Sequence, residues 1–146
     1  MTDSRPTERD LTAADRRTGV VIVDHGSRLS EANAVIEQFA RLFEQQAGYE
    51  IVEPAHMELA EPSIATAFSR CIERGATRVI VAPYFFGPGK HAQQDIPALA
   101  REAAARHPNV TCLIADPIGV HPLMVPVIAS RVDECLTGRQ DQPGQT

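Results

Sequence analysis

Apolar and polar positions along this chain follow two rhythms, short unbroken apolar runs and longer stretches with an apolar residue every three or four places. The first run, Gly19-Val20-Val21-Ile22-Val23, has no polar interruption and predicts a strand covered on both faces. An amphipathic stretch follows from Ser30 to Ala47, with Val35, Ile36, Phe39, Leu42 and Phe43 on its apolar stripe and Gly48 as a natural stop. The second strand is expected over Glu50 to His56. It contains Pro54, which lacks a ladder donor, so it belongs at a sheet edge or ends in a bulge. Pro62 suits the first position of a second helix whose inward residues are Ile64, Ala67, Phe68, Cys71 and Ile72, with Gly75 at its end. Arg78 to Tyr84 predicts a third strand, followed by a Gly/Pro-rich loop from Phe85 to Lys90. A third helix is predicted from Pro97 to His107, stopping before Pro108. The fourth strand is Val110 to Ala115, and a last helix starts near Leu123, since Pro126 would break its interior.

This β-α order, repeated four times, predicts an α/β fold. The expected architecture is a three-layer domain, a parallel four-stranded sheet with right-handed crossovers and helices on both faces. The domain is expected over residues 18–137, with polar, turn-rich tails at 1–17 and 138–146. The chain has no internal repeat. At 146 residues it is long enough to bury a core without disulfides or a structural metal.

Composition narrows the partners. The net charge of −5, with no basic stripe, speaks against nucleic acid. No apolar run approaches the ~20 residues of a membrane span. Met1 to Arg17 mixes acids and bases without an apolar segment, so it reads neither as a signal peptide nor as a transit peptide. Cys71, Cys112 and Cys135 are widely spaced and odd in number, which fits small half-buried side chains in a reducing, cytoplasmic setting.

Ligands of an open parallel sheet bind outside the carboxyl ends of its strands. Asp24-His25-Gly26-Ser27-Arg28 follows the first strand, and His56 to Ser63 the second. Phe85 to His91 follows the third strand, and Asp116 to His121 the fourth. Of the histidines, only His107 lies off this rim, as a solvated helix end. His25 and His91, on adjacent strand tips, are candidate metal ligands and proton acceptors at neutral pH. Each also has a plain reading, a rim imidazole bonded to a carbonyl and a helix-start residue. Glu61, just before Pro62, is either a helix cap or a carboxylate facing the rim. Glu58 lies three residues before it. His56 reads as a strand-end residue or a third ligand, and His121 as a cap before Pro122. Arg28 and Lys90 are the local cations an acidic ligand would need. Nucleotide motifs are absent, and Gly87-Pro88-Gly89-Lys90 lacks phosphate-loop spacing. Ser27 has no nucleophile-elbow context.

Three of these segments together resemble a known family. Asp24-His25-Gly26-Ser27-Arg28, Glu58-Leu59-Ala60-Glu61-Pro62-Ser63 and Gly89-Lys90-His91, followed by Gln94-Asp95-Ile96-Pro97, resemble the short sirohydrochlorin chelatases over residues 18–136. The phrase from Val52 to Pro62 is most similar to the plant-type ferrochelatases of that family, while His56 and Met57 depart from the residues common elsewhere in it. The resemblance implies a chelatase-type, flavodoxin-like fold. It implies that His25 and His91 bind the incoming metal, that His25 accepts pyrrole protons, and that Glu61 is catalytic. Arg28, Glu61, Phe86, Gly87, Pro88, Gly89 and Lys90 would then contact the acidic macrocycle. It further implies sirohydrochlorin and a divalent metal as substrates, Fe2+ before Co2+ or Ni2+, with no organic cofactor, and a homodimer. A non-catalytic metal or tetrapyrrole carrier and a metal-free regulatory module are the competing readings.

Overall fold

The computed structural model describes residues 16–87 and 89–138, with the backbone alone at residues 90–92. These residues form two compact units, 16–119 and 120–138. The domain expected over 18–137 takes in both. Of the tails, residues 1–15 and 139–146 lie outside the described residues. Arg17, expected in a loose tail, is tied down, because its carbonyl accepts the Thr77 N–H at 2.8 Å.

The larger unit holds strands β1 (Thr18–Asp24), β2 (Ile51–His56), β3 (Arg78–Pro83) and β4 (Thr111–Ile114). Between them run helices α1 (Ser30–Ala47), α2 (Ile64–Glu73) and α3 (Lys90–Ala105). All strand pairs are parallel, in the order β2-β1-β3-β4. The chain leaves β1 toward one edge and later returns to build toward the other. The carboxyl ends of β1 and β3 therefore flank the switch point where such sheets bind ligands.

Side-chain alternation along β1 explains the two cores. Val20 and Ile22 point to one face and pack with Ile36, Ala40 and Val52, with Phe39 and Phe43 of α1 against them. Val21 and Val23 point to the other face, among Phe68 and Cys71 of α2 and Ile96, Ala100 and Ala103 of α3. Helices thus cover both faces, as the pattern predicted. Phe68 is fully buried, and truncating it would cost about 3–5 kcal/mol. Val35 and Leu42, expected on the inward stripe of α1, are exposed instead.

β2 is an edge strand, and its proline explains how. The Val52 and Glu50 carbonyls accept from the Arg74 guanidinium at 3.1 and 2.7 Å. In a parallel strand the N–H and C=O of one residue point the same way, and every second residue shares that direction. Pro54 therefore turns its missing donor to the outside and removes no ladder bond. Arg74 also pairs with Glu44 and Glu53, each at 3.1 Å. Burial opposes its charge, but the two carboxylates outweigh burial and raise its pKa further. Buried Cys71 has its thiol pushed up to about 12, first by burial and then by Glu53.

Two helix starts differ from expectation. α2 begins at Ile64, with Ser63 as its cap accepting the Thr66 N–H at 3.1 Å, so Pro62 stands before the helix. α3 begins at Lys90 and carries Pro97 in its interior. Proline preference for a first turn pointed to Pro97, yet the turn closes earlier, where the Gln93 N–H reaches the Gly89 carbonyl at 3.0 Å. In the smaller unit a 3-10 turn, Pro122–Met124, leads into α4 (Val125–Leu136). His121 caps that turn through Nδ1, which accepts the Leu123 N–H at 3.1 Å.

Candidate active site

The tips of β1 and β2 run side by side past the end of the sheet. Asp24 lies opposite His56 in register, and the ladder continues with Met57 N–H to the Asp24 carbonyl at 2.8 Å and Glu58 N–H to the His25 carbonyl at 3.1 Å. The backbones come this close because residue 26 is glycine. Its φ is +93°, and a Cβ there would stand 1.9 Å from the Glu58 carbonyl oxygen. This register brings His25 Nε2 to 3.3 Å from Glu58 Oε1. Both side chains are 53% exposed, so a ligand can reach them. The other ring nitrogen, Nδ1, is 3.2 Å from the Gly26 carbonyl.

Two side chains fix the segment on either side of His25. His56 Nδ1 is 2.6 Å from Asp24 Oδ1. Asn33, one turn into α1, accepts the Ser27 N–H through Oδ1 at 2.9 Å and donates through Nδ2 to the Ser27 carbonyl at 2.7 Å. Beside this segment lies an open cavity of about 440 Å³, lined by His25, Asn33, Val35, Tyr84, Phe85 and Phe86 among others. Its aromatic wall is braced: Tyr84 packs on Phe39 of α1 with ring centroids 4.8 Å apart, and Phe86 meets Tyr84 edge-on at 5.5 Å. The Tyr84 N–H bonds to the Val23 carbonyl at 2.7 Å, which ties this wall to the tip of β1.

The residues singled out in the sequence divide as follows. His25 stands at the cavity and Phe86 forms part of its wall. Gly87 and Gly89 are exposed in the loop after β3, and Pro88 lies outside the described residues. Lys90 and His91 occupy the first turn of α3, where only the backbone is described. Glu61 acts as a cap: its Oε2 accepts the Ser63 N–H at 2.5 Å and the Thr66 hydroxyl at 3.2 Å at the start of α2. His56 is fully buried rather than at the rim surface. His107 is not simply solvated, since it stacks on Phe68 at 5.8 Å. Among the described residues no three His, Cys, Asp or Glu side chains cluster as a metal cage. Sequence reasoning missed Glu58 as the partner of His25, and Asn33. The signal for Glu58 was the register, since pairing Asp24 with His56 forces His25 beside the residues that follow.

Comparison with known proteins shows the family and the fold of this chain. Residues 19–135 match the family described as CbiX. A chloroplastic sirohydrochlorin ferrochelatase of Arabidopsis thaliana is 50% identical over 119 residues, 82% of this chain and 53% of that protein. A sirohydrochlorin cobaltochelatase of Sulfurisphaera tokodaii is 34% identical over 81% of this chain and 93% of its own length. Among solved structures, SirB from Bacillus subtilis with Fe3+ superimposes with a TM-score of 0.75 at 29% identity, covering 82% of this chain and 47% of that one. The chain thus spans about half the length of the plant and Bacillus proteins.

Proposed function

This chain belongs to the CbiX family, and from that premise we propose that it inserts a divalent metal ion into sirohydrochlorin, with Fe2+ as the metal and siroheme as the product. The observation that carries this reading is the His25–Glu58 pair at the mouth of an aromatic-walled cavity. Two donor atoms 3.3 Å apart can each lie ~2.1 Å from one ion, which subtends an angle of about 100°, close to tetrahedral. The remaining positions stay open, as delivery of a substrate metal requires. His91, in the first turn of α3 across the switch point, is the proposed further ligand. Its contribution is that of an imidazole, soft enough for Fe2+ and Co2+ and able to release them.

Insertion displaces two pyrrole protons. His25, held beside a carboxylate, is suited to accept one of them on Nε2 once the ion has passed to the macrocycle, with Glu58 stabilising the imidazolium that forms and solvent water taking the other proton. Phe86 and Tyr84 offer an apolar wall for the flat macrocycle. Arg28, Lys90 and the Phe86–Lys90 loop, with Gly87, Pro88 and Gly89, would meet its carboxylates. Glu61 contributes indirectly, by capping the helix behind the loop that carries Glu58. The relative named as a ferrochelatase, at 50% identity, favours Fe2+. The relative named as a cobaltochelatase favours Co2+ as the second reading. On the family resemblance, we also propose a homodimer, which sedimentation would check. The proposed compartment is the cytoplasm. No described helix is long and apolar enough to cross a membrane, and Cys71, Cys112 and Cys135 stand outside disulfides.

The test is anaerobic turnover. Purified protein is mixed with sirohydrochlorin and Fe2+ or Co2+, and the absorption change of metal insertion is followed. Insertion faster than in buffer is expected, lost in His25→Ala and His91→Ala variants that still fold. A rate equal to buffer removes the enzyme reading and leaves a carrier.

A further inference from the structure

We propose that His56, which the chemistry above does not use, is a positioning residue that holds the β1 tip so that His25 faces Glu58; the inference rests on the reading of that pair as the working site. His56 is a hub. Its Nδ1 meets Asp24 Oδ1 at 2.6 Å, and its backbone N–H donates to the Pro62 carbonyl at 2.8 Å. The loop that carries Glu58, residues 57–62, therefore starts and closes on His56. The strand that carries His25 is gripped by the same imidazole, through the side chain immediately before His25.

The second observation is an unmet hydrogen-bonding atom. His56 is 0% exposed, and its Nε2 has no hydrogen-bond partner among the described residues. The carboxylate beside Nδ1 can accept an N–H only from that nitrogen, so the ring bonds to Asp24 through Nδ1 and Nε2 is the buried ring nitrogen left over. Leaving a buried polar atom unmet is destabilising, and an apolar side chain of similar size would avoid that loss. An interior chosen for packing alone would not hold an imidazole here. What the imidazole supplies, and leucine cannot, is a directed N–H for Asp24. Fixing the Asp24 carboxylate restricts rotation about the Asp24–His25 link. Gly26 permits the close approach on the far side, and the two backbone bonds to Met57 and Glu58 set the register. Without the Nδ1–H grip, His25 would sample directions away from Glu58.

Side-chain chemistry separates this from a packing role. Asparagine places an amide N–H near the position of Nδ1, whereas glutamine carries it toward the position of Nε2 and leucine has none. The experiment compares His56→Asn, His56→Gln and His56→Leu by thermal melting, by imidazole 15N spectra with His25 assigned through His25→Ala, and by metal-insertion kinetics. Wild type should show one narrow set of His25 ring resonances, from a ring held with Nε2 toward Glu58. His56→Leu and His56→Gln should fold but show broadened or shifted His25 ring resonances from several ring orientations. Their kcat should drop about 10-fold, while KM for the tetrapyrrole stays within about twofold. His56→Asn should recover the His25 pattern and a kcat within about threefold of wild type. An unchanged His25 pattern in the Leu and Gln variants, or an Asn variant that falls as far as they do, would overturn the proposal. Should wild type insert no metal, the enzyme reading fails by itself, and the His25 spectra still decide whether His56 orients the ring. If His56→Leu does not fold, the Asn–Gln pair carries the test.

Discussion

The two walls of the cleft are built on opposite terms. On the β1–β2 side the polar groups are tied to partners on neighbouring segments: His25 to Glu58, Asp24 to His56, and Ser27 to Asn33 by two bonds. On the β3 side Phe86 and Gly87 are exposed, and the wall is held mainly by aromatic contact and by the Tyr84 N–H bonded to the Val23 carbonyl. The two walls divide the labour. The tied wall sets geometry, which metal transfer needs to within fractions of an ångström. The open wall offers surface, which a large flat acidic ligand needs more than precision. Substitutions that loosen the backbone of the tied side should therefore lower kcat and stability together, and those on the open side should raise KM and leave stability alone.

The sharpest break is Gly26→Ala. A Cβ at 1.9 Å from the Glu58 carbonyl, with φ at +93°, forces the two strand tips apart. The expected cost is on the order of 3 kcal/mol, a fall in Tm of about 10 °C, with insertion activity lost. Calorimetry and the turnover assay check both parts. Glu58→Gln ranks next. It keeps shape and removes the negative charge from the metal and from the His25 imidazolium, so kcat should fall ~100-fold at nearly unchanged Tm. Glu61→Gln is its control: kcat should hold within about threefold, while stability falls by about 1 kcal/mol through a weaker α2 cap. If Glu61→Gln loses kcat and Glu58→Gln keeps it, the roles of the two carboxylates are reversed.

The sequence made these two walls unequally legible. Unbroken β-branched runs announced β1 and β3, and the β-α alternation alone was enough to put His25 and the Phe86–His91 segment at one rim. Pro54 marked β2 as an edge strand for the right reason, although it hid how regular that strand is. Glu61 was ambiguous because a carboxylate beside the start of a helix looks alike whether it caps or reacts. Its contact with the Ser63 N–H shows it capping the start of α2. Glu58 and Asn33 were not visible as site residues, since each acts through a register or a turn of helix that pairs distant positions. Asn33 in particular reads as one polar residue on a solvated helix face until α1 is set against the β1 tip. Pro97 misplaced the start of α3, although the plain reading of His91 as a helix-start residue agrees with its place in the first turn.

Asn33→Ala should have an intermediate effect. Two hydrogen bonds to the Ser27 backbone are lost, at about 1 kcal/mol each, and the segment after His25 loosens. An expected kcat loss of about 10-fold, with a lower Tm, would place α1 among the supports of the tied wall. A kcat near that of wild type would mean that Asp24 and Gly26 suffice to aim His25.

The smallest effect is expected from Phe86→Ala, and it bears most directly on the open wall. Phe86 is 51% exposed and touches Tyr84 only edge-on, so the folded chain loses little when it is truncated. Surface substitutions of this kind stay within about 0.5 kcal/mol of wild-type stability. The macrocycle, in contrast, loses an aromatic surface, and aromatic pairs contribute about 0.5–1.5 kcal/mol beyond the area they bury. KM for sirohydrochlorin should therefore rise about 5-fold with kcat held, and Co2+ affinity measured without the tetrapyrrole should not change. A fall in kcat at constant KM would show that the open wall also bends or aligns the ring during metal transfer. The division between a wall for geometry and a wall for binding would then have to be redrawn.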